Sequence, residues 1–77
     1  MNDLQFIEYL IKYLQGFLTI GIVTDPQNMC AGKLFIKVGG ETFYGTSISE
    51  IRVMVEAKIM HEGFYTLKQQ YKAANGN

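Results

Sequence analysis

Leu4, Ile7, Ile11, Leu14 and Leu18 recur at spacings of three and four, which at about 100° per residue puts them on one face of a helix. Gln5, Glu8, Lys12 and Gln15 gather on a polar arc, and Phe6, Tyr9, Tyr13 and Phe17 fall between the two as an aromatic flank. The helix is therefore expected to be apolar over more than half its circumference. Asn2, with Asp3 after it and Gln5 three places on, has the form of an N-cap and a capping box. Gly16 and Gly21 bracket the expected end.

The pattern then weakens. Residues 20–24 fit either a short strand or the tail of the helix, and Thr24-Asp25-Pro26-Gln27-Asn28 is turn chemistry. Lys33 to Val38 and Glu41 to Tyr44 read as a hairpin, with Gly39-Gly40 expected to supply positive φ angles at both turn positions. That turn sets Val38 opposite Glu41, Ile36 opposite Phe43 and Phe35 opposite Tyr44. Leu34, Ile36 and Phe43 then share an apolar face, while Phe35, Lys37, Thr42 and Tyr44 share a half-exposed one.

Ser47-Ile48-Ser49-Glu50 has the spacing of a capping box and opens a second helix. Ile48, Ile51, Val55 and Ile59 form one stripe on it. Val53, Ala57, Met60, Phe64, Leu67 and Tyr71 form another, a heptad-like seam running nearly its whole length. Gly63 is expected to loosen the middle by roughly 1 kcal/mol relative to alanine. Lys68 and Lys72 suit the last turn, and Asn75-Gly76 reads as an end signal. The pattern predicts an α+β fold of order α-β-β-α, with a third short strand near 20–24 as an option, in a single domain spanning 1–77.

Composition changes the picture in one respect. A chain of 77 residues with one cysteine has no internal disulfide, and one cysteine with one histidine makes a poor metal site. Efficient packing or oligomerisation remains as the source of stability. Seven basic and seven acidic side chains cancel, which disfavours nucleic acid and anionic membrane as partners. Phe17 to Val23 is too short to span a bilayer, and no signal-peptide pattern precedes the first helix. A cytoplasmic protein is expected.

Candidate chemistry is sparse. His61 shares a polar arc with Lys58 and reads as a solvated histidine; a Cys30–His61 nucleophile pair lacks supporting flanks. Ala31-Gly32-Lys33 precedes its strand and lacks the glycine-rich run of a phosphate loop. Glu56 and Glu62 stand four places after Arg52 and Lys58 and read as charge pairs. No catalytic residue, metal ligand or cofactor is expected, and the chain is read as not an enzyme. A nucleic-acid face is the alternative, with Phe35 and Tyr44 as stacking rings and Lys33, Lys37 and Arg52 beside them.

What remains is surface. Four apolar stripes exceed what two helices and a hairpin, consuming one stripe each, can bury within one chain. Phe6, Tyr9, Tyr13 and Phe17 are therefore expected to bind a protein partner, and Val53, Met60, Phe64, Leu67 and Tyr71 to form a homodimer seam. The hairpin "KLFIKVGGETFYG" feeding "SISEIRVMVEAKI" resembles, in size and style, the small orphan proteins of phages and mobile elements, anti-CRISPR proteins among them. That resemblance implies a single small domain that blocks a host or defence protein by binding it. The expected function is thus a non-enzymatic protein-binding module, either an inhibitor or a structural assembly subunit.

Overall fold

Asn2 opens the first helix as the spacing predicts: its Oδ1 accepts from the Gln5 N–H at 2.8 Å, and Gln5 Oε1 accepts from the Asn2 N–H at 2.9 Å. In the computed structural model, which describes residues 1–74, this helix is α1 (Asp3–Tyr13). Strands β1 (Leu18–Ile22), β2 (Leu34–Val38) and β3 (Glu41–Gly45) follow, and then α2 (Ile48–Ala74). The fold is α+β with an antiparallel sheet in the order β1-β2-β3. The Asn75-Gly76 end signal lies outside the described residues.

The third strand exists, two residues earlier than the expected 20–24. α1 stops at its cap Leu14, the Phe17 N–H donates to the Leu14 carbonyl at 2.7 Å, and Gly16 turns the chain at φ 81°. Leu18 therefore belongs to the sheet and not to the helix stripe. It pairs with Val38, and Ile20 pairs with Ile36. Bonds between Val23 and Lys33 (2.9 Å) and between Gly32 and Val23 (2.8 Å) carry the pairing just past the strand.

The hairpin has the expected register, with Val38 opposite Glu41, Ile36 opposite Phe43 and Phe35 opposite Tyr44. Only Gly39 has positive φ, at 63°, the pattern of a II′ turn and not of one with both positions positive. Gly39 is also a close approach: a Cβ there would stand 2.7 Å from Gln70 Oε1 and 3.1 Å from Leu67 Cδ2.

α2 begins with half a capping box. Ser47 Oγ accepts from the Glu50 N–H at 3.3 Å, but the Glu50 carboxylate turns to Thr46, taking its N–H at 2.9 Å and its hydroxyl at 2.6 Å. The larger departure is at Gly63, where φ 80° and ψ 162° break the helix into halves 48–62 and 64–74. This region of backbone space is essentially restricted to glycine. The sequence expectation of a loosened but continuous helix is corrected: Gly63 is a corner.

One core collects Phe6, Leu10 and Leu14 from α1, Ile36 and Val38 from β2, and Ile51, Val55 and Leu67 from α2. α2 packs on β2 and β3, and α1 packs beside α2. The molecule is flat, 34 × 33 × 19 Å. On α1 the buried stripe is Phe6-Leu10-Leu14; of the expected aliphatic stripe Leu14 is buried and Ile7 packs against the core, while Leu4 and Ile11 are rolled off it, 68% and 51% exposed. The reason is the corner in α2. Phe64, just after Gly63, offers an aromatic partner to Tyr9 and Tyr13, so α1 turns its aromatic flank toward α2 and leaves Leu4 and Ile11 outside. No helix among the described residues is long and apolar enough to cross a membrane.

Candidate functional site

Ile51 and Val55 point into the core, so the residues half a turn away on the same helix point straight out. Those residues are Val53, Ala57 and Met60, and they are apolar: Val53 is 70% and Met60 87% exposed. A surface helix ordinarily places charge there. Beside this stripe a shallow groove of about 250 Å³ runs between α1 and α2, lined by Met1, Phe6, Tyr9, Glu56, Ile59 and Met60. An apolar ridge next to an apolar groove is the shape that another protein's side chains can fill.

The charges flanking this surface are fixed in place. Arg52 lies between Glu56 (2.6 Å) and Asp3 (3.4 Å), donates to the Met1 carbonyl at 2.7 Å, and has its guanidinium 5.3 Å from the Phe6 ring centre. The Glu56 hydrogen bond, followed by Asp3, raises its pKa above the ordinary arginine value. Lys58 lies between Glu62 (2.7 Å) and Glu41 (3.2 Å), and its pKa is raised chiefly by Glu62. Glu62 in turn is held below the usual carboxylate range by Lys58 and then by Gln70. These links tie α2 to the start of α1 and to the start of β3, so the backbone carrying the apolar ridge is braced on both sides.

The expected partner-binding set is dispersed by the fold. Phe6 is in the core at 1% exposure and reaches the surface only as part of the lining of the groove. Tyr9 and Tyr13 pack on Phe64, with ring centres 5.7 and 5.2 Å away, Tyr13 and Phe64 stacked at 17°. Phe17 meets Tyr71 edge-on at 6.1 Å. The second half of α2 thus packs against these aromatic residues, leaving Tyr9 and Phe17 half-buried and Tyr13 44% exposed.

The expected dimer seam is divided at the same place. Val53 and Met60 face outward, whereas Leu67 is buried, Phe64 packs against the core, and the Tyr71 hydroxyl is 3.2 Å from Thr19 Oγ1. A seam continuous through Phe64, Leu67 and Tyr71 does not form, because the corner rotates the helical register between Met60 and Phe64.

The alternative nucleic-acid face is also divided. Phe35 and Tyr44 are cross-strand neighbours with ring centres 6.5 Å apart, and Phe35 lies over Gly21, whose Cβ would stand 3.0 Å from its ring. Arg52 belongs to the helix layer on the other side of the sheet, bound to Asp3 and Glu56, and Lys37 lies over the Tyr71 ring at 5.5 Å. Lys33 is exposed at the start of β2.

His61 is exposed and hydrogen-bonds no described residue; Cys30 is half-buried in the β1–β2 loop, its N–H donating to Asn28 Oδ1 at 2.8 Å. No cluster of three or more metal-ligating side chains occurs among the described residues. The groove residues Met1, Glu56 and Ile59 were not among the candidate site residues read from the sequence, which placed Ile59 in a core stripe and Glu56 in a charge pair, because they come together only where two helices meet. Leu10 was missed on the core face although it completes an i, i+4, i+8 series with Phe6 and Leu14. No protein-family model matches this chain, and no curated protein or solved structure matches it.

Proposed function

We propose that the protein is a non-enzymatic protein-binding module that docks through the outward face of the first half of α2. The observation that carries this reading is the apolar ridge of Val53, Ala57 and Met60 standing opposite the core-facing Ile51 and Val55. Methionine adapts its shape to varied partners, and the adjacent groove offers room for an inserted side chain. Two uses fit such a face. An assembly subunit would pair the ridge with that of a second copy about a two-fold axis. An inhibitor of the phage type, as the resemblance in size and style suggests, would set it against a host or defence protein and occlude that protein's working surface.

The test places a photo-crosslinking amino acid at position 60 in cells that produce the protein, with position 27, in the β1–β2 loop, as control. An adduct with the mass of two copies supports the assembly subunit. An adduct with one other protein, lost on Val53→Glu, supports the inhibitor. Equal labelling at both positions, or none at 60, overturns the docking face.

A further inference from the structure

The net charge is zero, but the charges are not mixed evenly. Around the first half of α2 stand five carboxylates (Asp3, Glu41, Glu50, Glu56, Glu62) and three cations, Arg52, Lys58 and, near Glu50, Lys33. The second half, residues 64–74, contains Lys68 and Lys72 and no acidic residue. The corner at Gly63 brings this half across the hairpin end to Phe17. There Lys68 Nζ and Lys72 Nζ each lie 5.6 Å from the Phe17 ring centre. Tyr71 meets Phe17 at 6.1 Å, and Lys37 Nζ lies 5.5 Å from the Tyr71 ring centre. Neither Lys68 nor Lys72 is in an ion pair among the described residues. Three ammonium groups thus surround two half-buried rings.

From this cluster we infer a second binding site, for single-stranded nucleic acid, formed by Phe17, Lys37, Lys68, Tyr71 and Lys72. It is separate from the docking ridge and does not depend on it. Single-strand sites combine cations that follow the phosphates with rings on which unstacked bases rest. A duplex would use the lysines and leave the rings idle, because its bases are already stacked. An acidic peptide would likewise draw on charge alone. In the free protein the ammonium groups cap the ring faces by cation–π attraction. Their four-carbon stems let them swing to phosphates while a base takes the vacated face. Of the sheet face that carries Phe35 and Tyr44, only Lys37 belongs to this site.

The test is a fluorescence-anisotropy titration of a labelled oligothymidylate 12-mer over a series of KCl concentrations. Phosphate contacts from Lys68 and Lys72 contribute about −1.4 to the slope of log K against log salt. Lys72→Gln should therefore shallow the slope by about 0.7, and Lys68→Gln with Lys72→Gln by about 1.4. Both are surface changes, checked for folding by circular dichroism, and Lys33→Gln outside the cluster should leave the slope unchanged. An abasic 12-mer, with the same phosphates and no bases, should bind at least about fivefold more weakly. Absence of binding at 50 mM KCl, a slope unaltered in the double variant, or equal affinity for the abasic strand overturns the proposal. So does equal competition by polyglutamate or by phosphatidylserine vesicles, which would assign the cluster to acidic peptides or to a lipid surface.

Discussion

Gln70 Nε2 donates to Glu62 Oε1 at 2.9 Å, joining a residue just before the break in α2 to one on the turned half. Glu62 also holds Lys58, which reaches Glu41 on β3. The corner is therefore closed by a polar chain on one side. On the other, Tyr13 stacks on Phe64 at 5.2 Å. The turn is made by backbone and held by side chains that are remote in sequence.

Gly63→Ala should destabilise the protein by about 1–3 kcal/mol, because φ 80° and ψ 162° are available essentially to glycine alone. An added Cβ would meet nothing within 4 Å, so the cost is conformational and not steric. Helix propensity predicts the opposite sign, a gain of roughly 1 kcal/mol for alanine. Urea denaturation followed by far-ultraviolet circular dichroism separates the two. A more stable Gly63→Ala protein would mean a continuous helix in solution.

Gly39→Ala should cost more than Gly40→Ala. The first requires an L-residue at φ 63°, about 1–2 kcal/mol, and drives its Cβ to 2.7 Å from Gln70 Oε1. At Gly40 the nearest atoms stand 3.7 Å or further and φ is not positive. Asn at position 39, the usual choice for a hairpin turn, should be destabilising here for the same steric reason. Thermal melts of the two single variants check the order.

The sequence was most legible where the determinants are local. The Asn2–Gln5 box and the 38–41 turn depend on residues within a few positions of one another, and both formed with the expected register. Gly63 was legible as a weak point but not as a corner, since what holds the corner is Tyr13, Glu62 and Gln70 acting across the fold. That single uncertainty propagated. A straight α2 leaves the aromatic flank of α1 uncovered and makes one seam of Val53 through Tyr71. A bent one packs Tyr9 and Tyr13 on Phe64, buries Leu67, and leaves Val53, Ala57 and Met60 as the outward part of the seam. Net charge concealed the lysines around Phe17 in the same way, because a sum over the chain carries no position.

Stability should fall as pH drops below about 4.5. The folded-state pKa of Glu62 is lowered by Lys58 and Gln70, and that of Glu50 by Thr46. A lowered carboxylate contributes stability above its unfolded pKa and loses it as pH falls through the folded value. Lys58 has a raised pKa, so its share is complete at neutral pH and fades only above pH 10.5. The urea midpoint should therefore be flat from about pH 5 to pH 9 and decline toward pH 3. Glu62→Gln should lower the plateau and shallow the acid decline. An equally steep decline in that variant would remove Glu62 as a contributor.

Met60→Glu and Leu67→Ala should part company, although both belong to the seam read from the sequence. Met60 is 87% exposed, so a charge there meets water, and the change in stability should stay within about 0.5 kcal/mol. Leu67 is fully buried beside Ile36 and Val38 in the core cluster, and its truncation should cost about 2–5 kcal/mol. Association should respond in the reverse sense. Met60→Glu places a charge in the middle of the apolar ridge and should abolish docking while the protein stays folded. Denaturation midpoints, with sedimentation equilibrium run on the same samples, give both quantities. If Met60→Glu unfolded the protein while Leu67→Ala left it stable, α2 would have to present its other face to the sheet. A Met60→Glu protein that stayed folded and still bound its crosslinked partner at wild-type strength would show that the ridge is not the docking face.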